Sequence, residues 1–158
     1  MKNYETRVAR VCSQLNAERA KYVVVGATAM QLWGTSRATR DVDVLIEPTV
    51  ANAKRVLRAL SRLGFGLASE LLAEEVATHA VTIVGDTPSV DIFTRAWNLK
   101  WADAVKRATT FEIESVAIPT ASIEDLITSK RTGRPQDAAD VLVLESMLRL
   151  GSGSDSPA

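Results

Sequence analysis

The chain has one cysteine and one histidine. Cys12 has no second thiol to pair with, so no internal disulfide forms and a reducing compartment is expected. With His79 alone, neither a histidine-based catalytic triad nor a histidine-rich metal site is expected. Aromatic residues are only 5%. Charge of one sign is also missing: 19 Lys and Arg balance 19 Asp and Glu, which argues against a basic nucleic-acid coat but leaves a local patch open. No apolar run approaches the roughly 20 residues that cross a bilayer, so no membrane partner is expected. Residues 1–10 are polar and charged, without the apolar stretch of a signal peptide, and a cytoplasmic location follows as an expectation. What remains is ordinary globular material. The 158 residues are 46% hydrophobic and 24% charged, enough for one domain with a full core. We assign that domain to residues 1–150 and read 151–158, rich in Gly, Ser, Asp and Pro, as a disordered tail.

Periodicity gives an alternating order of helices and strands. Val8, Val11, Cys12 and Leu15 share one helical face, predicting a helix over 4–20 with Cys12 as a small core residue. The β-branched run 22–25 predicts a buried strand that stops at Gly26. A short helix over 27–33 ends at Gly34, a polar loop covers 35–40, and a second strand covers 41–46. Thr49 is placed to cap a helix reaching residue 63. Residues 67–76 read as helix or irregular edge. Strands over 81–84 and 89–94 flank the turn 85–88, predicting a hairpin in which Val90 and Ile92 face one way and Asp91 the other. A helix over 97–108, a single strand over 110–118, a helix capped by Ser122 and a last helix opening at Pro135 complete the chain. The fold class is α/β (α+β), with a mixed sheet, flanking helices and C-terminal helices.

Three carboxylates in this order carry chemistry. Asp41 and Asp43 are two apart on one strand, so they share a face, and like charges there repel unless a cation lies between them. Asp91 sits mid-strand among apolar neighbours, where a bare carboxylate is costly to bury. If the two strands are neighbours, all three converge. Hard oxygen ligands suit Mg²⁺ or Mn²⁺, which share their shell with substrate phosphates. Gly26, at the junction of strand and helix, lets backbone amides approach a phosphate, and Thr28 adds a hydroxyl.

The sequence from Gly26-Ala27-Thr28-Ala29 through Arg37-Ala38-Thr39-Arg40-Asp41-Val42-Asp43 to Asp91 resembles the DNA polymerase β-type nucleotidyltransferase superfamily. Within it the chain is most similar to the small nucleotidyltransferases among the toxins of bacterial abortive-infection and toxin–antitoxin systems. Leu126, Ile127, Lys130, Arg134, Asp137 and Asp140 resemble the C-terminal part of that group. The resemblance implies a nucleoside triphosphate as substrate and Mg²⁺ or Mn²⁺ held by Asp41, Asp43 and Asp91. It implies that Asp91 also helps to activate an acceptor hydroxyl. Gly26, Ala27 and Thr28 would border the triphosphate, with Arg37 and Lys130 as basic residues near it. One position departs from the pattern: Ala27 stands where the family has glycine or serine.

Several of these residues have structural readings as well. Arg37 is equally suited to hold Asp41 or its loop, Thr39 reads as a structural hydroxyl, and Arg134 with Asp137 makes a sufficient ion pair at a helix start. Trp97, Lys100, Trp101, Lys106 and Arg107 mix aromatic and basic character suited to RNA, but helical spacing favours Trp97 and Trp101 as core or interface anchors. His79 reads as structural or exposed. The function expected is transfer of a nucleoside monophosphate to a hydroxyl of RNA or protein. In the toxin setting an antitoxin protein would be the partner. The acceptor-gripping half of larger transferases is reduced here to the last helices, which leaves acceptor recognition to a partner or homodimer. The alternative is a weakly catalytic module that binds nucleotide or a partner protein.

Overall fold

The computed structural model describes residues 3–154. Six strands form one mixed sheet in the order β3-β4-β2-β1-β6-β5. At its centre, β1 (Tyr22–Val24) runs antiparallel to β2 (Val42–Ile46), and β2 runs parallel to β4 (Val90–Phe93). The edge strand β3 (Val81–Val84) forms the expected hairpin with β4. Every residue of β1 and β2 is buried, as their continuous apolar runs require of strands covered on both faces.

Helix α1 (Asn3–Ala17) buries Val8, Val11, Cys12 and Leu15 against β6 and α3 (Val50–Leu60). Burial pushes the Cys12 thiol up to about 12, so it remains a neutral core group. Helix α2 (Gly26–Trp33) packs on β2, and its C-cap Gly34 takes φ +107. Thr49 caps α3 by accepting from the Asn52 amide, and Ser122 caps α6 (Ile123–Ser129) by accepting from the Asp125 amide at 3.1 Å. Residues 67–76 resolve into a 3-10 turn, Leu67–Glu70, and a short helix α4, Ala73–Thr78. His79 follows it and is exposed.

The structure departs from the sequence expectations in three places. The single strand expected over 110–118 is a hairpin of β5 (Thr109–Ile113) and β6 (Val116–Thr120). Glu114 and Ser115 turn the chain with φ of +51° and +68°. Two successive positive values make the tight turn that matches strand twist, normally signalled by Asn-Gly, and Glu-Ser gives no such signal. The helix expected from residue 97 starts at Trp101, as α5 (Trp101–Arg107). Ala96 and Leu99 exchange backbone hydrogen bonds of 2.9 and 3.0 Å, closing a turn that holds Trp97 outside any helix. The last helix, α7 (Pro135–Ser154), continues past residue 150, and residues 155–158 of the expected tail lie outside the described residues. Among the described residues no helix is long and apolar enough to cross a membrane.

Candidate active site

Asp43 and Asp91 meet because β2 and β4 are neighbours in parallel register, and Asp41 lies near enough for its charge to act on both. Asp43 stands directly opposite Asp91. Asp41 lies immediately before β2, where Val42 donates to the Ser89 carbonyl at 2.9 Å. Asp91 is therefore on an interior strand and not at a hairpin edge.

Gly26 closes the site from the α2 side. Its φ is +62°, and a Cβ built there would lie 2.6 Å from Asp43 Oδ2 and 3.0 Å from Asp43 Cγ. Only glycine permits both the left-handed backbone and this approach. Ala27 is not among the positive-φ residues, so its methyl costs no backbone strain. Thr28 is the connector. Its hydroxyl accepts from the Asp43 amide at 3.1 Å and donates to the Asp41 carbonyl at 3.0 Å. The Val25 N-cap provides no side-chain acceptor for the first turn of α2, whose amides also have no intrahelical partner. Thr39 accepts from the Asp41 amide at 3.2 Å, the structural role expected for it.

The electrostatics are those of an acidic site lacking a counter-charge. Burial first, and then the charges of Asp91 and Asp41, push Asp43 up to about 7 against the Thr28 hydrogen bonds. Burial and the Asp41 charge raise Asp91 as well. Asp91 Oδ1 is buried with no hydrogen-bond partner among the described residues. Among the described residues no three Asp, Glu, His or Cys side chains are drawn together as a finished metal cage. An orphaned carboxylate oxygen on Asp91, opposite Asp43 in register, has the hard-oxygen chemistry that suits a divalent cation.

Beside the acidic site lies a cavity of about 470 Å³, with Gly26 in its wall. Arg95, Lys130 and Arg134 also line it. Lys130 Nζ lies 2.9 Å from Asp140 and 3.7 Å from Asp137, both buried. Arg134 pairs with Asp137 at 2.7 Å. Burial would raise Asp137, but the Thr132 hydroxyl and Arg134 outweigh it and hold its carboxyl below the usual range. Arg37 pairs with Asp140 at 3.4 Å, not with Asp41, and ties the loop before β2 to α7. Arg7 of α1 donates to the Thr39 carbonyl of the same loop at 2.8 Å.

Two cavity residues escaped or misled the sequence reading. Arg95 carries no motif of its own in the sequence, although it follows Asp91 and Phe93 at the strand period of two. Trp97 is not the buried helical anchor expected: it is 51% exposed and lines the cavity. Trp101 is partly buried against the core, as expected, with Lys21 5.9 Å over its ring. Arg107 forms an ion pair with Asp125 at 2.9 Å.

Residues 3–149 match the sequence model of a family described as nucleotidyltransferase of unknown function (DUF6036). No curated protein matches the chain. Among solved structures, an antigenic nucleotidyltransferase-like protein from Paracoccidioides brasiliensis is similar in fold, with a TM-score of 0.61 at 19% identity. The match covers 93% of this chain and 76% of that one.

Proposed function

The chain belongs to this nucleotidyltransferase family, and from that premise we propose that it transfers a nucleoside monophosphate from a nucleoside triphosphate to an acceptor hydroxyl. The observation that carries the reading is the register of Asp43 against Asp91, with Gly26 pressed onto the Asp43 carboxylate. Asp41, Asp43 and Asp91 would hold Mg²⁺ or Mn²⁺. The cation would supply charge neutralisation for the reacting phosphates and the departing pyrophosphate. The first amides of α2, at Gly26 and Ala27, face the phosphates with the positive end of the helix, and Thr28 fixes Asp43 at that end. The acceptor oxygen bonds to the α-phosphorus as the bond to pyrophosphate breaks. Asp91 Oδ1, which has no hydrogen-bond partner among the described residues, receives the hydroxyl proton. Lys130 and Arg134 lend positive charge to the cavity while anchored by Asp137 and Asp140. Positioning and preorganised charge carry the catalysis.

The acceptor in this proposal is a hydroxyl of RNA or protein. The biological setting is a cytoplasmic toxin restrained by an antitoxin protein, with a partner or second copy helping to grip the acceptor. The test is incubation with Mg²⁺, each labelled nucleoside triphosphate, and RNA or protein acceptors. Label should pass to an acceptor and fall by at least roughly 100-fold in Asp43→Asn and in Asp91→Asn. Triphosphate binding without any transfer would replace the proposal with that of a nucleotide-binding module.

A further inference from the structure

The turn that follows β4 presents an aromatic ring to the cavity in a conformation that a bulky residue seldom adopts. Ala96 and Leu99 close the turn, and Trp97 takes φ +56° at a position that ordinarily favours glycine. The other two tryptophans are built into the protein. The Trp33 indole donates to the Ala121 carbonyl at 2.9 Å and its ring meets Phe111 edge-on at 5.1 Å. Trp101 is partly buried beneath Lys21. Trp97 makes no hydrogen bond or ring contact among the described residues. Arg95, two residues before it, makes no ion pair among them either, whereas the neighbouring cations Lys130 and Arg134 are both paired. Trp97 and Arg95 line the same cavity as Gly26. Its volume, about 470 Å³, lies in the range of small-molecule sites, roughly 300–1,000 Å³.

We infer that the Ala96–Leu99 turn is the base platform of the nucleotide site. The Trp97 ring stacks on the nucleobase, and Arg95 neutralises the phosphates that run from there towards Gly26. This rests on the nucleotidyl-transfer reading and adds the substrate's other end to it. Aromatic stacking tolerates any base, since each has a π face, and a purine offers the larger one. The platform therefore selects nucleotides over bare polyphosphates, and purines over pyrimidines, without reading base edges.

The experiment is calorimetric titration of the full chain with Mg²⁺ and either ATP or inorganic tripolyphosphate. Trp97→Ala should weaken ATP about ten-fold and leave tripolyphosphate unchanged, while Trp97→Phe keeps most of the ATP affinity. Arg95→Gln should weaken both ligands. In the wild-type protein, ATP should shield tryptophan fluorescence from iodide and tripolyphosphate should not, a readout that needs no variant to fold. The inference is overturned if Trp97→Ala binds ATP like wild type, or loses both ligands equally. It is also overturned, with the phosphate site left standing, if the wild type binds tripolyphosphate as tightly as ATP. A wild type that binds neither removes the proposed function as well.

Discussion

Gly26→Ala tests the closest contact in the site. The new methyl carbon would lie 2.6 Å from Asp43 Oδ2, 3.0 Å from Cγ and 3.2 Å from Cβ, on a backbone held at φ +62°. The left-handed conformation costs alanine about 1–2 kcal/mol. Overpacking of this kind costs about 1–3 kcal/mol, and the lower chain entropy of unfolded alanine returns ~0.4–1 kcal/mol. The net destabilisation is therefore about 1–5 kcal/mol, against the ~5–15 kcal/mol that holds a domain folded. Urea unfolding measures it as a lowered midpoint at constant slope. The steric part belongs to one side chain, so a double-mutant cycle isolates it. In an Asp43→Ala background only the 3.2 Å contact remains, and Gly26→Ala should then cost about 1 kcal/mol. Asp43→Asn would not serve, because it keeps the clashing atoms. If Asp43 instead swings aside about χ1, the stability cost shrinks towards the backbone part and the carboxylate leaves its place opposite Asp91. An unchanged urea midpoint for Gly26→Ala in the wild-type background refutes the contact.

Two further predictions concern charge. Asp43 is pushed up from 3.8 to about 7, so between these values the folded protein keeps a proton that the unfolded chain has released. Stability of the metal-free protein should therefore fall as pH rises from about 4 to about 7, by up to ~4 kcal/mol at ~1.4 kcal/mol per pH unit. Asp43→Asn should flatten that slope in urea titrations, Mg²⁺ should oppose it by favouring the ionised carboxylates, and a slope unchanged in Asp43→Asn removes the assignment. Lys130→Met leaves Asp140 with Arg37 at 3.4 Å and Asp137 with Arg134 at 2.7 Å. Its cost should lie near 2–3 kcal/mol, below the ~3–5 kcal/mol of a fully abandoned buried charge. If stability is unchanged while ATP binding collapses, Lys130 is a phosphate ligand and not a structural cation.

The acidic half of the site was legible because it depends on short-range rules. Strand alternation placed Asp41 with Asp43, and set Asp91 opposite in facing to Val90 and Ile92. The one long-range fact required, that β2 and β4 are neighbours, stands in the sequence only as a condition, and their register meets it. Gly26 could be picked out as a strand-to-helix glycine, but its specific constraint could not. The contact with Asp43 joins residues on different elements, and no local pattern encodes it.

The cavity half was harder to read for a physical reason. Lys130, Arg134 and Arg37 are cations whose partners, Asp137 and Asp140, are fixed by the packing of α7, and sequence spacing suggested only the Arg134–Asp137 pair. Trp97 misled because its spacing to Trp101 is helical, while the Ala96–Leu99 backbone pairing overrides that propensity and forces a left-handed turn. The override is itself informative. Local preference loses where tertiary structure holds a residue against its tendency, and such positions concentrate where a ligand is bound. The unexpected hairpin at Glu114–Ser115 shows the limit of that argument, since those two positive φ values join β5 to β6 and line no part of the cavity beside Gly26. Strain alone therefore does not mark function here. At Trp97 it coincides with an exposed aromatic ring, an Arg95 that has no ion pair among the described residues and a cavity that reaches Gly26, and that coincidence is what the base-platform proposal rests on.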